Sequence, residues 1–124
     1  LAISRYFRIV LAVLWTAFIF YGLTSEPSGI PMFPWLEKPG VDKLIHAILF
    51  AIEAALLGFV FQKWKEPKAW LAILAWCFIL GGGLEVVQHM WIEGRSGDVL
   101  DLIADMVGAI LGILGTKFLL KHQE

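Results

Sequence analysis

The chain alternates long apolar runs with short polar or proline-rich breaks. Hydrophobic sequence fills Phe7 to Leu23, Leu44 to Phe61, Ala69 to Ile92 and Val99 to Leu120 almost without interruption. Each run is about long enough to cross roughly 30 Å of hydrocarbon at about 1.5 Å of helix per residue. The pattern predicts an all-α protein, a single membrane domain over 1-124 with four transmembrane helices at about 7-23, 44-61, 69-92 and 99-120. The first run reads as a retained span, because Gly22-Leu23-Thr24-Ser25 makes a poor small-x-small cleavage site.

The breaks differ in kind. Between Thr24 and Gly40 stand Pro27, Pro31, Pro34 and Pro39, a density that forbids a regular helix. Ile30, Phe33, Trp35 and Leu36 keep this stretch apolar, which suits a connector along the membrane interface or a lid over a polar site. Asp42 is expected to cap the second helix, and Pro67 to open the third after the short basic link from Gln62 to Lys68. Glu93-Gly94-Arg95-Ser96-Gly97 reads as the turn between the third and fourth spans.

Composition narrows the class further. With 59% hydrophobic and 17% charged residues and a mean hydropathy of +0.76, the chain is too apolar for a water-exposed surface. A formal net charge of -1 argues against nucleic acid as a partner and leaves membrane lipids. Cys77 stands alone, so neither an internal disulfide nor a thiolate metal cluster can form. Arg5, Arg8, Lys63, Lys65, Lys68, Lys117 and Lys121 fall on one side of the expected bundle, against Lys38, Lys43 and Arg95 on the other. The positive-inside rule then places both termini in the cytoplasm and turns the 24–43 loop and Arg95 outward.

Against this background the polar residues inside the spans stand out. Positions three, four or seven apart share a helix face. Asp42, His46 and Glu53 therefore line one stripe of the second helix, Glu85, Gln88 and His89 one of the third, and Asp98, Asp101 and Asp105 one of the fourth. An ionised acid at mid-span costs about 2.5–3.5 kcal/mol, so four unpaired ones would cost on the order of 10 kcal/mol. They must be paired, protonated or metal-bound. Lys43, Arg95, His46 and His89 are too few for all the acids, and a divalent metal held by His46, Glu85, Asp98 and Asp101, or carboxyl groups with raised pKa values, would close the gap.

Plainer roles compete at several positions. Asp42 suits an N-cap, and Ser96 or Asp98 another; Lys43 can snorkel, and His89 suits a solvated rim. Glu53 suits a neutral helix-to-helix hydrogen bond, and the tryptophans an interface belt and core. Glu85, Asp101 and Asp105 are the acids for which function is the stronger reading. Ala104, Gly108, Gly112 and Gly115 form a small-residue ridge for helix packing, within the chain or in a homo-oligomer. No nucleophile motif, Gly-rich phosphate loop or His-Glu-x-x-His signature is present, so any chemistry rests on the cluster.

Three segments together resemble the VanZ-like family of small bacterial membrane proteins: Asp42-Lys43-x-x-His46, Glu85-x-x-Gln88, and Gly94-Arg95-Ser96-x-Asp98-x-x-Asp101 with Gly108 and Gly112 beyond it. The resemblance implies a helical protein of the bacterial cytoplasmic membrane, associated in its namesake with reduced susceptibility to teicoplanin. It carries Asp42, Lys43, His46, Glu85, Gln88, Arg95, Asp98 and Asp101 over as the polar positions. Asp105, where asparagine is expected, and Glu53, where an apolar residue is usual, depart from the family pattern.

The expected function is binding of, or action on, a lipid or polyprenyl-linked envelope precursor in an outward-facing pocket. Arg95 and Lys43 would grip phosphate, with Gln88, Asp42, Ser96 and Asp105 as further ligand contacts. Glu85, Asp98, Asp101 and His46 would act as acid, base or metal ligands. A proton-coupled transporter or flippase subunit using Glu53, Glu85 and Asp105 is the alternative, and a structural partner in an envelope complex a third. The residues leave enzyme, binding and transport roles open.

Overall fold

The structure, a computed structural model, describes residues 4–24, 40–62, 67–91 and 99–121. They form four helices, α1 (Arg5–Thr24), α2 (Val41–Val60), α3 (Pro67–Trp91) and α4 (Val99–Lys121), each long and apolar enough to cross a membrane. The boundaries fall within a few residues of those expected. The proline-rich loop with Trp35, the basic link and the turn carrying Arg95, Ser96 and Asp98 lie outside the described residues.

Helix ends follow local chemistry. Pro67 opens α3, where its fixed φ suits the first turn and its missing N–H costs nothing. Asp42, expected as the N-cap of α2, is instead inside the first turn. Gly40 precedes the helix with φ 87, a left-handed conformation open to glycine, and its carbonyl accepts from the Leu44 N–H at 3.0 Å. The Asp42 side chain is thereby freed for other partners.

The helices run alternately up and down, so α2 and α4 are parallel, and these two make the most extensive contact among the described helices. Gly108 and Gly112 make that contact possible: a Cβ on either would run into the backbone carbonyl of Ala47 or Ala51 on α2. This is a small-xxx-small crossing, in which dispersion between closely approaching backbones replaces a hydrophobic force that lipid cannot supply. Gly108 and Gly112 of the ridge are therefore occupied within the chain, by α2. Gly115 points into open space.

Below the crossing, Phe50, Ala54, Ile73, Cys77, Ala109 and Ile113 close the core, with the Cys77 thiol buried among them. α1 leans on α2, where the Trp15 indole N–H donates to Leu49 O at 2.9 Å. Gln88 donates to Leu23 O at 2.6 Å, satisfying one of the carbonyls that the last turn of α1 leaves open. Large apolar side chains such as Val13, Phe18, Ile79 and Leu114 cover the outside, as hydrocarbon solvent requires. One end of the bundle gathers the starts of α2 and α4, and the polar residues concentrate there.

Candidate functional site

At that end α2 and α4 face each other through five polar side chains of one seam. Lys43 Nζ bonds Asp101 Oδ1 at 2.6 Å and Asp42 Oδ2 at 3.2 Å. One turn deeper, His46 Nδ1 lies 2.7 Å from Asp105 Oδ1, both residues being essentially inaccessible at 2% and 1% exposure. The helical period explains the pairing: Asp101 and Asp105 are one turn apart, as are Lys43 and His46, and the parallel crossing matches them in register.

The His46–Asp105 bond fixes the imidazole. With the carboxylate accepting, Nδ1 carries the proton and Nε2 presents its lone pair on the opposite side of the ring. That nitrogen faces Asp101 Oδ2 at 3.7 Å and Asp42 Oδ1 at 3.9 Å, beyond hydrogen-bond range. A carboxylate behind an imidazole whose second nitrogen points into a site is the arrangement of an oriented base or metal ligand. Asp105 Oδ2, also buried, has no hydrogen-bond partner among the described residues. It lies against α3 at Gly81, where a Cβ would come within 2.8 Å of it.

Of the anticipated site residues, Asp42, Lys43, His46, Asp101 and Asp105 come together directly. Glu85 joins from α3, its carboxylate within 4.8 Å of ligand atoms on His46 and Asp105. The expected metal set is divided: Glu85 groups with His46 and Asp105, Asp101 with His46 and Asp42, and Asp98 lies outside the described residues with Arg95 and Ser96. Gln88 is buried but spent on Leu23, and His89 is exposed. Lys43 holds two carboxylates rather than standing ready with both hands open to phosphate.

Glu53 belongs to a separate arrangement. It is fully buried at mid-helix, and Thr16 Oγ1 of α1 lies 2.7 and 2.9 Å from its two oxygens and 2.9 Å from Ala12 O. One hydroxyl proton cannot serve three acceptors. The Trp76 indole N–H is a further donor to Glu53, so this carboxyl ties α2 to both α1 and α3. Thr16 escaped the sequence reading because threonine is at home in an apolar run, where its hydroxyl returns to the preceding turn. Its one signal is that it is the only polar residue between Arg8 and Tyr21 apart from the Trp15 indole.

Fold and site together define a four-helix membrane protein with a buried His–carboxylate seam at one end. The chain belongs to the VanZ/LLP1 family, whose model matches residues 7–120. It is also similar to an uncharacterized protein of Schizosaccharomyces pombe, 30% identical over 97 residues that cover 77% of this chain. The chain spans 59% of that relative's length. No solved structure matches it.

Proposed function

We propose that the seam of Asp42, Lys43, His46, Glu85, Asp101 and Asp105 receives the polar head of a membrane lipid or lipid-linked envelope precursor, on the extracytoplasmic side of a bacterial cytoplasmic membrane. The observation that carries this reading is the buried His46–Asp105 pair, which turns Nε2 toward the end of the bundle where α2 and α4 begin. A lipid in the same leaflet holds its head at that depth without leaving the membrane. Lys43 exchanges part of its carboxylate pairing for a phosphate oxygen, and Arg95 supplies a second, forked cation. His46 then stands as a base for a proton of the bound head, with Asp105 holding the ring in place. Through the family resemblance the reading extends to reduced susceptibility to teicoplanin, which expression in a susceptible host would report.

The test is native mass spectrometry of the detergent-purified chain with a polyprenyl phosphate and with phosphatidylglycerol. Wild type should retain one of these lipids, and Lys43→Ala and His46→Gln should each lose at least about tenfold in retention, the size of one charged contact. A change in lipid mass, absent in His46→Gln, would make the protein an enzyme. Equal retention by wild type and both variants would overturn the reading.

A further inference from the structure

We propose that Asp42, His46 and Asp101 bind a divalent transition-metal ion, Zn2+ or Mn2+, with Asp105 orienting the histidine from behind. The spacing is the first argument. Elsewhere in the seam, partners sit at hydrogen-bond distance, 2.6 to 3.2 Å. Around His46 Nε2 the distances open to 3.7 and 3.9 Å, too long for a hydrogen bond. Ligands about 2.1 Å from a tetrahedral ion lie about 3.4 Å from each other, so a small closure of these three atoms encloses one.

Orientation points the same way. Lys43 holds Asp42 Oδ2 and Asp101 Oδ1, and the other oxygen of each carboxylate is the one turned to Nε2. The buried His46 makes its hydrogen bond through Nδ1, and that bond goes to a carboxylate, the outer partner that metal-bound histidines use to fix ring and tautomer.

The acids supply a second argument. Asp42 and Asp101 are hydrogen-bonded to each other, the contact two carboxyl groups make over a shared proton, and a cation can take that proton's place. An ion on Nε2 would also make the imidazole N–H a stronger donor to Asp105, whose Oδ2 has no hydrogen-bond partner among the described residues. One nitrogen and two carboxylate oxygens suit Zn2+ or Mn2+ better than the all-oxygen shells of Mg2+ and Ca2+. Three protein ligands leave a coordination position open. Here the inference rests on the headgroup reading, since a phosphate oxygen of the lipid would take that position.

The full chain, purified in detergent, stripped with EDTA and kept free of added phospholipid, is titrated with Zn2+ and with Mn2+ by calorimetry. Bound metal is counted by elemental mass spectrometry after desalting, and helicity is checked by circular dichroism. Wild type should take up a single ion of one of these metals per chain. His46→Gln should abolish uptake, and Asp105→Asn should weaken it about 10–100-fold, as loss of an outer partner does. Asp42→Asn, at an exposed position in the first turn of α2, should weaken it at least as much and keeps the test open if an Asp101 variant fails to fold. Sub-stoichiometric uptake by folded wild type, or equal uptake by wild type, Asp42→Asn and His46→Gln, would overturn the proposal. Because no lipid is present, lipid retention without metal uptake sinks the ion alone, whereas metal uptake without lipid retention sinks the headgroup reading alone.

Discussion

Replacing Gly108 by alanine tests whether packing and chemistry are one structure. A Cβ at Gly108 meets the Ala47 carbonyl and comes within 2.7 Å of Ala47 Cα. Carbon atoms settle at about 3.5–4.0 Å, so α2 and α4 must part by about 1 Å. The obstruction is backbone, and no rotamer change relieves it. His46 adjoins Ala47, and Asp105 lies one turn before Gly108 on the same face of α4. Their 2.7 Å bond would stretch to about 3.7 Å and cease to be a hydrogen bond. Overpacking costs about 1–3 kcal/mol and the buried bond to a charged group about 1.5–3 kcal/mol, while alanine returns up to about 1 kcal/mol of helix propensity. The net expectation is a loss of about 2–5 kcal/mol in denaturant titrations followed by circular dichroism, together with at least a tenfold loss of lipid retention. Gly115→Ala, with open space around it, should be neutral or stabilise by up to about 1 kcal/mol. A Gly108→Ala protein as stable and as lipid-retentive as Gly115→Ala would refute the argument.

Three further outcomes follow from other contacts. Glu53→Leu should cost no more than about 1.5 kcal/mol, because Thr16 keeps its bond to Ala12 O and only the Trp76 indole loses its acceptor; a loss of lipid retention would place Glu53 in the site after all. Gln88→Leu should cost about 1–3 kcal/mol in the same unfolding titration by leaving the Leu23 carbonyl unsatisfied, with lipid retention kept in whatever fraction stays folded; an unchanged unfolding curve would show that the carbonyl finds another donor. Cys77 should resist a membrane-permeant maleimide in the folded protein and label on unfolding, and native-state labelling would mean that the core opens readily.

The spans were legible because hydrocarbon demands a long apolar run whatever the helix packs against, so composition alone locates α1 to α4. The helical period also put Asp42 with His46 and Asp101 with Asp105 on shared faces, but Glu53 faces Thr16 of α1 and His89 is exposed, so those two leave their expected stripes. The period could not say which neighbour each stripe meets. Gln88 follows Glu85 by three residues and shares its face, yet the bundle turns Gln88 to α1 while Glu85 reaches His46 and Asp105. Asp42 looked like a cap because nothing in sequence reveals that Gly40 takes the left-handed conformation that starts α2. The ridge of Gly108 and Gly112 was legible as packing, but its partner was not, since Ala47 and Ala51 are small residues among many.

Seen from that partner, the two features read separately in sequence are one seam. On α4 the stripe runs Asp101, Asp105, Gly108, Gly112, Thr116, and on α2 it runs Lys43, His46 and Ala47, Ala51, Gly58. At the deep end side chains vanish and backbones touch, and at the membrane rim they lengthen and bond. A backbone approach this close is what lets two short side chains, an imidazole and an aspartate, meet at 2.7 Å across parallel helices. Larger residues at the glycines would force either longer acids or a gap. Asp101, Gly108 and Gly112 thus act together for a physical reason: the glycines set the distance at which the polar end can work.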